Sequence, residues 1–408
     1  MSDTEEAMEA PKSKIETPKK ERLGFVDLWR GFIMIYLVLS AFIPESWITN
    51  TAYQGAFTPI LEFLFVHPAR ESFVMHLIDI GATSFVFVLG LMYSVTFNQR
   101  REKSGTKAAI KHIIIRYGVI VWLGFAVMIV EYGWPLIVTK GDVLAGINTL
   151  TYSSGVPAGS DITVLWWDVI PSLGLVGFVG IPFLFLKKKA RLIVAYAWLI
   201  FYGVMLDLNQ YTRWASSAAT SVFGGIYFCI FAFGATQIMA SAIGEYMMQG
   251  FSGAERPRFL QRLAVFAGFN LLFGIVLLSS PYTFVPAYIL VAISVTLLGF
   301  FLFLFFDEVM HWPMRLLRAY GSSPFFVYLI TVIPLELVSV FLKLFNVQVD
   351  VFTWTYFLVL VVTAAANVSI IFLTYIKGKR VRTDIAALVG IIVVMGVGWP
   401  LLFLGFFS

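Results

Sequence analysis

A single cysteine, Cys229, excludes an internal disulfide framework and a thiolate metal cage. Histidine is scarce too. His67, His76, His112 and His311 form no i,i+4 pair and no zinc-type spacing, so no histidine-built metal site is expected. Only 13% of positions are charged while 59% are hydrophobic, an excess that a soluble fold of 408 residues could not bury. Aromatic side chains at 17% add to it. The expected class is therefore an all-α integral membrane protein, a polytopic helix bundle. A net charge of +5 invites a nucleic-acid partner, but the basic residues fall in short segments between apolar runs, so no nucleic acid is expected.

Residues 1–22 are rich in Lys, Glu and Pro with no apolar stretch, and read as a disordered cytoplasmic tail ahead of one membrane domain, 23–408. Apolar runs near the ~20 residues a bilayer requires occur at roughly 24–44, 76–97, 114–137, 164–186, 191–208, 220–241, 261–279, 283–306, 322–343, 351–376 and 384–407, giving eleven candidate spans. The run at 191–208 is short. The stretch 54–66 is shorter still and suits a re-entrant or interfacial segment. The segment 242–262 reads as an inner interfacial link between helix groups at about 24–241 and 261–407.

Lysine and arginine set the orientation. Alternate loops hold 24 of the 29: the tail, 98–116, 187–191, 256–262, 315–318 and 377–382. Shifting the count by one span would scramble this segregation, so the N-terminus is expected inside and the C-terminus outside.

Charged groups at membrane depth are the informative ones, because each costs a few kcal/mol unless it is paired or lines a wet cavity. Asp27 and Arg30 share one helix face at the inner end of the first span, where a structural ion pair and a binding role are both open. Towards the outside lie His67, His76, Asp79, Glu131, Asp168 and Glu336. His76 and Asp79 are i,i+3, so an imidazole and a carboxylate can face each other, which fixes a tautomer and raises basicity. Trp47, Trp134, Trp166 and Trp167 read most simply as interfacial belt residues, with substrate stacking as the other reading. Gly174, Gly177 and Gly180 are expected to provide close helix packing.

Several of these segments resemble, in order along the chain, the motifs of the transmembrane acyltransferases related to heparan-alpha-glucosaminide N-acetyltransferase. Asp27-Leu-Trp-Arg30-Gly31 resembles the family's Asp-x-x-Arg-Gly opening of the first span. Asp79, followed by Phe85-Val-Phe87 and Gly90, is similar to its second span, Trp167-Asp168 to its fourth, and Tyr320-Gly321-Ser322 to a later Gly- and Tyr-containing stretch.

The resemblance implies transfer of an acetyl or other acyl group from cytoplasmic acyl-CoA, with acetyl-CoA as donor substrate, to an extracytoplasmic glycan or lipid-linked sugar. Arg30, Arg116 and Asp27 would then serve the coenzyme A thioester, and Asp168, Glu336 and Trp167 the sugar or glycolipid acceptor. The family's catalytic histidine precedes the second-span Asp. His67 is the nearer in spacing and is put ahead of His76, with Asp79 orienting whichever acts. The setting implied is a multi-pass protein of a prokaryotic plasma membrane, in contact with the lipid bilayer, with homo-oligomerisation left open. Two other readings stay open, a polytopic transporter or flippase and a non-enzymatic membrane protein descended from acyltransferases.

Overall fold

A computed structural model describes residues 24–42, 48, 55–66, 76–128, 169–207, 229–250, 255–278 and 284–322, with positions 324, 327, 364–365 and 368–369. Among the described residues the secondary structure is helical throughout. The elements are α1 (Gly24–Phe42), α2 (Thr58–Phe65), α3 (Leu77–Leu91), α4 (Tyr93–Met128), α5 (Val169–Val179), α6 (Lys188–Asp207), α7 (Gly234–Gly250), α8 (Arg256–Leu277), α9 (Phe284–Glu308) and α10 (Arg315–Ser322). A 3₁₀ turn, Ile181–Phe185, follows α5, and a π turn, Cys229–Phe233, leads into α7. Three described stretches are long and apolar enough to cross a membrane, Ile80–Gly124, Arg256–Leu277 and Pro286–Glu308. The all-helical membrane class read from composition therefore stands. The tail and the apolar runs 351–376 and 384–407 lie outside the described residues apart from 364–365 and 368–369, as does the run 322–343 apart from 322, 324 and 327.

Several boundaries differ from the sequence reading. The basic segment 98–116, expected as a loop, is helical, because it is made of good helix formers such as Arg, Glu, Lys and Ala and simply extends the helix into water. Its one break is Gly105, whose φ of 84° is open to glycine and strained for other residues. The short run at 191–208 begins three residues earlier, at Lys188, and is 20 residues long. The expected link 242–262 is mostly helix, since α7 continues to Gly250 and α8 starts at Arg256 with Pro257 in its first turn. The short stretch 54–66 does form a separate short helix. It has eight residues, is too brief to span, and leaves Phe57, Ile60 and Phe63 exposed.

The core is formed where α1, α3, α4, α5, α7 and α9 converge. In lipid there is no hydrophobic drive between helices, so cohesion comes from dispersion and from backbones that approach closely. Glycine makes those approaches possible. A Cβ on Gly244 of α7 would lie 1.8 Å from the Leu91 carbonyl oxygen, and one on Gly174 of α5 would lie 2.6 Å from the Val121 nitrogen. Gly177 faces the Tyr117 ring at 2.1 Å by the same measure, so the glycine run does give close packing. Around α1, Trp29 packs edge-on to Phe300 and tilted against Phe303, at ring-centroid distances of 6.4 and 5.8 Å.

Candidate functional site

The first turns of α1 cross α10 in backbone contact. A Cβ on Gly31 would stand 1.8 Å from the Leu317 carbonyl oxygen, and one on Gly321 would stand 1.8 Å from the Asp27 carbonyl oxygen. Any side chain at either position would push the helices apart, so glycine on both sides sets the crossing. Arg30 reaches over it, donating from Nη1 to the Gly321 carbonyl at 3.3 Å and lying 3.4 Å from Asp27 Oδ1. The i,i+3 pair expected from the sequence is present, and its arginine also links two helices. Asp307, at the end of α9, faces the start of α1, where the helix dipole favours an anion, and it pairs with Arg318 of α10.

A second polar cluster joins α4, α6 and α7. Arg191, 1% exposed, places Nη2 at 2.6 Å from Glu245 Oε1 and donates from Nη1 to Ser241 Oγ at 2.9 Å. Asn98 donates to Glu245 at 3.0 Å, and Ser94 donates to the Ser241 carbonyl at 2.7 Å. The sequence reading placed Arg191 in an inner loop and passed over Glu245 inside the supposed link. A signal was available in the spacing. Ser94 and Asn98, and Ser241 and Glu245, are i,i+4 pairs, so each presents its polar groups on one face beside an arginine that opens an apolar run.

At the other end of α1, about 14 Å along the axis from Asp27 by the 1.5 Å rise per residue, α2 rests against α1 and α3. Tyr36 of α1 donates its hydroxyl to the Leu64 carbonyl, and its ring stacks on Phe65. His76, just before α3, places Nδ1 2.6 Å from the Val66 carbonyl oxygen, and its ring lies 5.8 Å from that of Phe63. Only a protonated Nδ1 can donate to a carbonyl, so the neutral ring carries its lone pair on Nε2. The two bonds also satisfy carbonyls at the C-terminal end of α2, which its own helix leaves unpaired.

The structure thus groups some of the expected site residues. Asp27 and Arg30 join Gly321 at the basic end of the bundle. Arg116 lies over the Tyr117 ring at 5.8 Å on the limb of α4 that packs against α5, and no described contact joins it to Arg30. The tautomer of His76 is fixed by a backbone carbonyl. Asp79 belongs to α3 one turn on, and its side chain lies outside the described residues. His67, Asp168, Glu336, Trp167, Trp47, Glu131, Trp134 and Trp166 also lie outside the described residues. In comparisons with known proteins, no family model and no curated protein matches the chain.

Proposed function

We propose that the chain is a transmembrane acyltransferase that takes an acyl group from acyl-coenzyme A at the basic end of the bundle and delivers it to a hydroxyl or amine acceptor at the other. The acceptor class is a glycan or lipid-linked sugar. The observation that carries this reading is the α1–α10 crossing. The two segments that supply much of the family resemblance, Asp27–Gly31 and Tyr320–Ser322, are far apart in sequence yet pack backbone to backbone, with Arg30 donating to Gly321.

In this reading the planar guanidinium of Arg30 holds a phosphate of the donor, and Asp27 fixes the arginine's rotamer. His76, whose Nδ1 is held by the Val66 carbonyl, here takes the role that family spacing gave first to His67, and through Nε2 accepts the proton of the attacking hydroxyl or amine. As that oxygen or nitrogen bonds to the thioester carbonyl, the carbon–sulfur bond breaks and the thiol sulfur leaves as thiolate, to be protonated in turn. His67 follows Val66 in the chain, so His76 bonds to the residue next to the other candidate histidine. Eleven spans with the N-terminus in the cytoplasm complete the proposal. They put the basic end and the donor on the cytoplasmic side of the plasma membrane and the acceptor outside.

The experiment is donor turnover by the purified protein with acetyl-labelled coenzyme A, following thioester cleavage. His76→Ala is expected to lower it about 10²–10⁴-fold with donor binding retained, and Arg30→Ala to weaken donor binding more than Asp27→Asn does. If thioester cleavage is absent from the wild type with sugar acceptors present, or is unchanged in both His67→Ala and His76→Ala, the reading fails.

A further inference from the structure

The connection between α9 and α10 is built in an unusual way. Past Asp307 and Glu308 the chain presents Val309, Met310 and Trp312 with exposures of 65%, 56% and 56%. These side chains are not on a loose loop. The Val309 and Met310 amides donate to the Phe305 carbonyl at 2.9 and 3.1 Å, and the Trp312 amide donates to that of Phe306 at 3.0 Å. His311 is held in the left-handed region at φ 48°, and the Trp312 ring rests edge-on against Phe306 at 5.7 Å. The backbone of the apolar knuckle is therefore held by hydrogen bonds, and a contiguous apolar patch presented outward in this way marks a contact site.

The charges around the knuckle say what it is. Arg256, at the start of α8, pairs with Glu308 and so brings the segment 255–262 against 307–318. Together the two segments carry five arginines (Arg256, Arg258, Arg262, Arg315, Arg318) against three carboxylates (Glu255, Asp307, Glu308). Each carboxylate has an arginine partner, Arg258, Arg318 and Arg256 respectively. Two positive charges are left over, and Arg262 and Arg315 are both exposed. α9 is long and apolar enough to span, and a span that ends at Glu308 puts Val309–Trp312 just past the hydrocarbon, at headgroup level.

We propose that this knuckle is a binding site for anionic phospholipid. Val309, Met310 and Trp312 insert at the acyl–headgroup boundary, while Arg262 and Arg315 hold the headgroup phosphates. The site would tie the α10 end of the α1–α10 crossing to the leaflet surface. It stands on exposure and charge alone and does not depend on the acyltransferase reading.

Two measurements on the full chain reconstituted in nanodiscs test it. The tryptophan emission lost on Trp312→Phe should be quenched by phosphatidylcholine brominated near the headgroup end of its chains. If that difference emission is quenched by aqueous acrylamide and not by bromolipid, the insertion is wrong. The second measurement is the preference for phosphatidylglycerol over phosphatidylcholine among lipids retained through detergent extraction. It should fall roughly fivefold for each of Arg262→Gln and Arg315→Gln, from about 1 kcal/mol per basic residue at a membrane surface. An unchanged preference in the double variant, or retention of phosphatidylglycerol lost equally to added inorganic phosphate, would overturn the headgroup assignment. So would capture of an acidic peptide in place of the lipid.

Discussion

Glu245→Gln should be markedly more damaging than Arg191→Met, although Arg191→Met removes the contacts to both Glu245 and Ser241. Arg191 is 1% exposed and cannot shed its proton, so deleting the carboxylate at 2.6 Å leaves a buried guanidinium with only Ser241 and a neutral amide against it. Breaking a buried pair in this way costs about 3–5 kcal/mol. Glu245 has another recourse when Arg191 is the residue removed. Its side chain is 16% exposed, so water can reach it, and it keeps the Asn98 bond at 3.0 Å, so the loss should be only about 1–3 kcal/mol. In the double variant no uncompensated charge remains. Ser241 can still donate to the Ile238 carbonyl at 2.7 Å, so stability should return to within about 1 kcal/mol of wild type or exceed it. Unfolding of the four proteins in one detergent, read as a double-mutant cycle, gives the coupling directly. Arg191→Met costing more than Glu245→Gln, or two additive losses, would refute the argument that desolvated charge governs this cluster.

Gly31→Ala and Gly321→Ala should each destabilise by about 1–3 kcal/mol, the usual cost of overpacking, because the new methyl meets a backbone carbonyl at 1.8 Å that cannot rotate away. Gly268→Ala, with nothing within 4 Å of the new atom, is the control and should be neutral or slightly stabilising in thermal unfolding. Gly105 also has open space around it, yet Gly105→Ala should cost about 1–3 kcal/mol because its φ of 84° and ψ of 167° are open essentially to glycine alone. Tyr36→Phe keeps the stack on Phe65 and removes only the bond to the Leu64 carbonyl, so it should cost about 0.5–1.5 kcal/mol and raise amide hydrogen exchange in Thr58–Phe65 ahead of the rest of the bundle. Unchanged exchange there would show that α2 is held by other contacts.

The class and much of the element map can be read from the residues alone. Apolar length and composition act locally, and a continuous apolar run of about 20 residues satisfies its own backbone in lipid by forming a helix. Thus α1, the brief α2, α8 and α9 fall close to where the apolar runs lie, and the Asp27–Arg30 pair follows from helical spacing alone. Helix ends at the basic face did not follow. Hydropathy marks where a helix leaves the membrane, whereas hydrogen bonding and propensity decide where it stops, so 98–116 and 242–250 are helix in spite of their polarity. Which polar residues meet was decided only by tertiary structure. Arg191 looked like one more inner-loop charge until the packing of α6 on α7 enclosed it with Glu245, and the bond from His76 to the Val66 carbonyl exists only because α2 is placed beside α3. The contact of Arg30 with Gly321 spans most of the chain, and it depends on two glycines whose common feature, a missing side chain, has meaning only once the helices are placed against each other.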